Sequence, residues 1–90
     1  MLNANHKRDR LQILADILVL CKIPRKKTTI MYKTNSNYAS VVRNLNFLQD
    51  AKLLEVHHSA TSYLTTPKGF EFVKKLKELQ EIAPFQTYKI

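Results

Sequence analysis

The chain holds one cysteine, Cys21, one glycine, Gly69, and no tryptophan in its 90 residues. A lone cysteine excludes an intrachain disulfide, and with His6, His57 and His58 it makes no zinc-ligand spacing. The expectation is no metal and no cofactor. A lone glycine likewise excludes a glycine-rich phosphate loop. No apolar run approaches the roughly 18 residues of a membrane span. The basic stretch MLNANHKRDR contains Asp9, is soon followed by Asp16, and has no small-residue cleavage site, so it does not read as a signal peptide. The expected setting is cytoplasmic and nucleoid-associated, without a membrane partner, where a single thiol stays reduced.

Acidic residues are the other shortage. Seven Asp+Glu against 15 Lys+Arg leave a formal charge of +8. So large an excess on a small chain points to a polyanion, with nucleic acid as the expected partner. The plainer reading is a solubility device. Titratable groups that could converge on a substrate are few. His57 and His58 are neighbours in an extended segment and point to opposite faces. No enzyme activity is expected. Cys21 reads as a small core hydrophobe.

What the chain does have is clear periodicity. Leu11, Leu14, Ala15, Leu18 and Cys21 share one helical face over about residues 8 to 22, and Ile13, Ile17 and Leu20 add an adjoining stripe. Pro24 forbids continuation. A short helix is expected from about Lys27 to Lys33. A longer one should begin near Asn35 to Asn37 and run to about Ala51, with Tyr38, Val41, Val42, Leu45 and Leu48 inward. After Lys52 the period shortens to about two. Residues 53–57 and 62–65 read as a hairpin around a polar tip, and Phe47 is expected to pack beneath it. Thr66-Pro67 is a cap followed by proline at the first helical position. The last helix should run to about Ala83, ahead of Pro84. The fold class is therefore mainly α with a small β-hairpin: a winged helix-turn-helix with a C-terminal dimerisation helix. Its parts are a flexible N-terminal arm (1–7), the DNA-binding domain (8–66), the dimerisation helix (67–84) and a tail (85–90).

The polar residues suggest what the domain meets. Lys22, Arg25, Lys26, Lys27 and Lys33 cluster before and within the short helix, which in a helix-turn-helix crosses the sugar-phosphate backbone. Lysines there set register without reading sequence. Thr28 could donate to phosphate, and His58 in the hairpin tip could do so when protonated. Ser36, Asn37, Ser40, Arg43 and Asn44 are expected on the outer face of the recognition helix, where Arg suits guanine and Asn suits adenine. Each residue alone could equally be part of a solvated helix face.

A domain of this size buries only roughly 60–65% of its unfolded surface, which favours oligomerisation. Phe72, Leu76, Leu79 and Ala83 are spaced as a coiled-coil seam of about two heptads. Together with Ile13 and Ile17 they form the expected interface of a homodimer. Phe70 is expected to face its own domain. The alternative is that the whole stripe packs back on the hairpin and first helix.

The pieces RDRLQILADIL, KKTTIMYKTNSNYASVVRNLNFLQDAKLLE and YLTTPKGFEFVKKLKEL cover most of residues 8 to 79. In them the chain resembles the archaeal winged-helix DNA-binding proteins that dimerise through a long C-terminal helix, a group of small chromatin-type proteins and predicted transcriptional regulators. The resemblance implies a homodimer with antiparallel last helices and no catalysis. It also implies that Lys27, Thr28 and Lys33 contact the DNA backbone, and Ser36, Asn37, Ser40 and Arg43 the groove. The chain departs from the family in its glycine-free wing tip and in Pro84, which shortens the last helix. Expected function is double-stranded DNA binding as a homodimeric transcriptional regulator. The alternatives are a weakly specific architectural protein and a winged-helix protein-interaction module.

Overall fold

A computed structural model describes residues 9–57 and 62–83. The order is α1 (Arg10–Leu20), α2 (Lys27–Lys33), α3 (Tyr38–Asp50), β1 (Leu54–His57), β2 (Ser62–Thr65) and α4 (Pro67–Ile82). This is the winged-helix order read from the sequence. The arm, the tail, the wing tip with His58, and Pro84 lie outside the described residues.

Local chemistry sets the helix ends. Asp9 caps α1 through its side chain, which accepts from the Gln12 N–H, so the helix starts at Arg10. Asn37 caps α3 by accepting from the Ser40 N–H, and Thr66 caps α4 by accepting from the Gly69 N–H, with Pro67 following. Two helices end through a residue in the left-handed region, Asn35 after α2 (φ 54°) and Lys52 after α3 (φ 68°). The following N–H groups then reach back: Ser36 donates to the Met31 carbonyl and Leu53 to the Leu48 carbonyl. These are Schellman closures, which satisfy carbonyls that a helix end would otherwise leave bare.

β1 and β2 pair antiparallel, Leu54 opposite Thr65 and His57 opposite Ser62. Arg25 adds a third rung: its N–H donates to the Tyr63 carbonyl at 3.1 Å and its carbonyl accepts from Tyr63 at 2.8 Å. The hairpin is thereby tied to the α1–α2 connection. The buried Thr65 hydroxyl donates to the Leu18 carbonyl at 2.7 Å, holding the hairpin on the end of α1.

The core is built from Leu14, Ile17, Leu18 and Cys21 of α1 and its end, Ile30 of α2, Val41, Leu45 and Leu48 of α3, and Leu53 and Leu54. Burial pushes the Cys21 thiol up to about 12, with Arg25 opposing weakly, which fits a core group that stays protonated. Gly69 lets α4 approach closely: a Cβ there would clash with the Leu53 carbonyl oxygen.

Several inward and outward expectations change. Ile17 is 0% exposed in its own core and cannot also face a partner. Leu76 is buried as well, and Ile13 and Phe72 pack against the core half-buried. The second α1 stripe is therefore mostly consumed inside one chain, because α1 is central to a domain with few other helices to cover it. The two phenylalanines of α4 exchange roles, with Phe70 exposed and Phe72 inward. Tyr38 is exposed rather than inward, being at the very start of α3.

Candidate nucleic-acid interface

α2, the turn and α3 as far as Asp50 form one surface whose charge has one sign. Between Asp16 and Asp50 the chain has no acidic residue, and it carries Lys22, Arg25, Lys26, Lys27, Lys33 and Arg43. Arg25 belongs to the scaffold, since its Nε donates to the Leu20 carbonyl at 2.9 Å. Lys26 and Lys33 are exposed, and Lys27 is half-buried with its ammonium 5.4 Å from the centre of the Tyr38 ring. That cation–π contact joins the start of α2 to the start of α3 and fixes where the charge is presented. Among the described residues, Lys26, Lys27, Lys33 and Arg43 pair with no carboxylate.

Val41, Asn44, Leu45 and Leu48 are the buried side of α3. Opposite them, Ala39, Arg43, Asn46 and Asp50 recur at i, i+4, i+7 and i+11, and all are exposed. Arg43 stands in the middle of this stripe, with its Nη2 donating to the Ser40 hydroxyl at 3.3 Å. Ala39 keeps the first turn low, so that backbone can come close to a partner. Asp50 ends the cationic stretch at the far end. A duplex laid on this face would meet favourable charge along α3 as far as Asp50, where repulsion begins.

Asn44 is corrected by this geometry. It is 5% exposed, and its Oδ1 accepts from Arg10 Nε at 3.0 Å. The expected outer-face asparagine is thus turned inward, and Asn46, two residues on, holds the outward position. The spacing of Val41, Leu45 and Leu48 carries that signal: a face centred on them includes position 44 and excludes 46. Ser36 is half-buried, its hydroxyl within 2.9 Å of that of buried Thr34, so it braces the turn. Asn37 uses its carbonyl oxygen in capping and keeps its amide donors at an exposed position. Thr28 is exposed on α2, where it was expected. Phe47 is not covered by the hairpin. Its exposed ring carries the Arg10 guanidinium 4.8 Å from its centre.

The end of α4 shows a different surface. Leu79 is 50% exposed and Ile82 82% exposed, beside exposed Ala83. Lysines and glutamates are mixed there, and Lys75 pairs with Glu71 at 3.2 Å. No described helix is long and apolar enough to cross a membrane, and no described cluster of His, Cys, Asp and Glu could hold a metal.

With the fold and this surface defined, the chain belongs to the winged helix-turn-helix family, whose sequence profile matches residues 7–84. Among solved structures it is similar to Sso10a-2, a DNA-binding protein from Sulfolobus solfataricus, with TM-score 0.73 and 25% identity over 83% of this chain and 81% of that one. This agrees with the resemblance read from the sequence. No curated protein matches the chain.

Proposed function

We propose that the chain is a homodimeric double-stranded DNA-binding protein that places α3 in the major groove. The observation that carries this reading is the acid-free, cationic surface from α2 through the first turns of α3, with Arg43 and Asn46 at its centre. Lys26, Lys27 and Lys33 act on phosphates as point charges, and Thr28 and Asn37 can add hydrogen bonds. Arg43 suits guanine O6 and N7, and Asn46 suits adenine N6 and N7. The similarity to the DNA-binding Sso10a-2 supports the same partner.

Two base-reading side chains per protomer supply modest discrimination beside a large backbone component. A transcriptional regulator would add a clear preference for half-sites about one helical turn, or a multiple of it, apart. An architectural protein would bind random duplexes nearly as well. The exposed Phe47 would favour a protein-binding module were it bare, but the guanidinium over its ring makes that spot cationic.

Dimerisation is assigned to the end of α4. Leu79, Ile82 and Ala83 remain available there, whereas Ile17 and Leu76 are buried in the protomer. Covering these side chains with a second copy removes apolar surface from water on both protomers by the same contacts.

Binding of a fluorescent random duplex, followed by anisotropy across a salt series, tests the main reading. The affinity should fall steeply, with a slope of about −0.9 per phosphate engaged. A flat isotherm from low to moderate salt would contradict it.

A further inference from the structure

We infer that Arg10, the first residue of α1, is a phosphate-binding residue held ready by the recognition helix. This extends the proposed DNA interface and rests on it. Neither the charge clustering nor the family resemblance singles out this residue.

Three features act on one guanidinium. Its Nε donates to Asn44 Oδ1 at 3.0 Å, across 34 residues of sequence. Its central carbon lies 4.8 Å from the centre of the Phe47 ring. Asn44 is itself buried, so the acceptor is fixed in the core. Side-chain entropy is one cost of binding through a long cationic side chain. Here the polar bond and the ring have already restricted the side chain before any ligand arrives.

The terminal Nη groups make no hydrogen bond to a described residue, and no described carboxylate pairs with Arg10. The neighbouring Asp9 carboxylate accepts instead from the Gln12 N–H as the helix cap. Arg10 is exposed. An arginine serving only as a core brace would place its charge against an acid or a set of carbonyls. This one keeps an unneutralised fork at the surface, a shape that matches two oxygens of a phosphodiester.

Its place on the fold is the margin of the α3 face. Ser40, Arg43 and Phe47 follow one another at i, i+3 and i+7, and Arg10 sits on the last of them. The guanidinium therefore continues the cationic edge by about one helical turn beyond Arg43. It does so from a different helix, so that α1 and α3 would grip the duplex together.

The test uses the full chain and a labelled random duplex, with binding constants measured between about 50 and 200 mM salt. Arg10→Gln should make the plot of log K against log salt shallower by about 1.8 for the dimer, one phosphate's worth from each protomer. Its affinity loss should then be about twelvefold greater at the lowest salt than at the highest. Arg10→Lys, which keeps the charge, should retain the wild-type slope, and so should Lys74→Gln on α4. A residue that only props α3 would give equal affinity losses in Arg10→Gln and Arg10→Lys with both slopes unchanged, and that result overturns the inference. If Lys27→Gln flattens the slope and Arg10→Gln does not, this inference alone fails. If the wild-type chain shows no salt-dependent binding, the DNA-binding reading beneath it fails as well.

Discussion

The two exposed helical surfaces of this protein, that of α3 and that of the end of α4, are built on opposite rules. On α3 the outward stripe of Ala39, Arg43 and Asn46 is polar or small, and its surroundings are cationic with no compensating acid until Asp50. Their positions are set by other side chains: Asn37 caps, Ser40 receives Arg43, Asn44 receives Arg10, and Lys27 meets Tyr38. On α4 charges of both signs are present and partly cancel, while Leu79 and Ile82 are exposed. The first surface is ordered and electrostatically unbalanced, as a site for a polyanion should be. The second is electrostatically quiet and apolar, as a site for a like surface should be. In the proposed reading, affinity for DNA and affinity for a second copy lie on different helices.

That separation can be broken at its base. Ile17→Ala should cost about 2–5 kcal/mol of stability, because it opens a cavity at a side chain fully buried within one protomer. Thermal or urea unfolding measures it. If Ile17 were instead an interface residue, the protomer would keep its stability and only association would weaken. Gly69→Ala should cost about 1–3 kcal/mol, since the new methyl group has to push α4 away from the Leu53 carbonyl.

Milder changes sharpen the contrast between surfaces. Leu79→Ser with Ile82→Ser should shift sedimentation to the monomer and remove the concentration dependence of unfolding, with little effect on the fold of one protomer. Lys27→Gln should leave the association state alone and flatten the salt slope of duplex binding by about 1.8, one phosphate from each protomer. The smallest effect is a gain. Lys52→Gly should add about 0.5–1 kcal/mol, because glycine accepts the left-handed backbone at the end of α3 without steric cost. The raised thiol of Cys21 adds a pH signature. The unfolded thiol titrates near 9 and the folded one at about 12, so this contribution is complete below pH 9 and is lost as pH climbs toward 12.

Element order was legible because its signals are local. Asp9, Asn37 and Thr66-Pro67 mark helix starts through caps that involve only near neighbours, and the change of period after Lys52 marks the hairpin. The facing of individual side chains was less legible. α1 is apolar on nearly all sides, so periodicity alone could not divide its stripes between core and partner. Asn44, Phe47 and Phe70 were misplaced for a related reason. Whether a polar or aromatic residue at the edge of a helix face turns in or out depends on what meets it, and for Asn44 and Phe47 that is Arg10, far away in the chain. The lysine cluster needed no such knowledge, since charge seeks the surface wherever the chain leads.

The most direct test of the division between the two surfaces is a residue-resolved NMR titration of the chain with a short duplex at low salt. The amide signals of Lys27, Thr28, Ala39, Arg43 and Asn46 should shift with added DNA, while those of Leu79, Ile82 and Ala83 should not. Shifts centred on the end of α4, with α3 unmoved, would contradict the account.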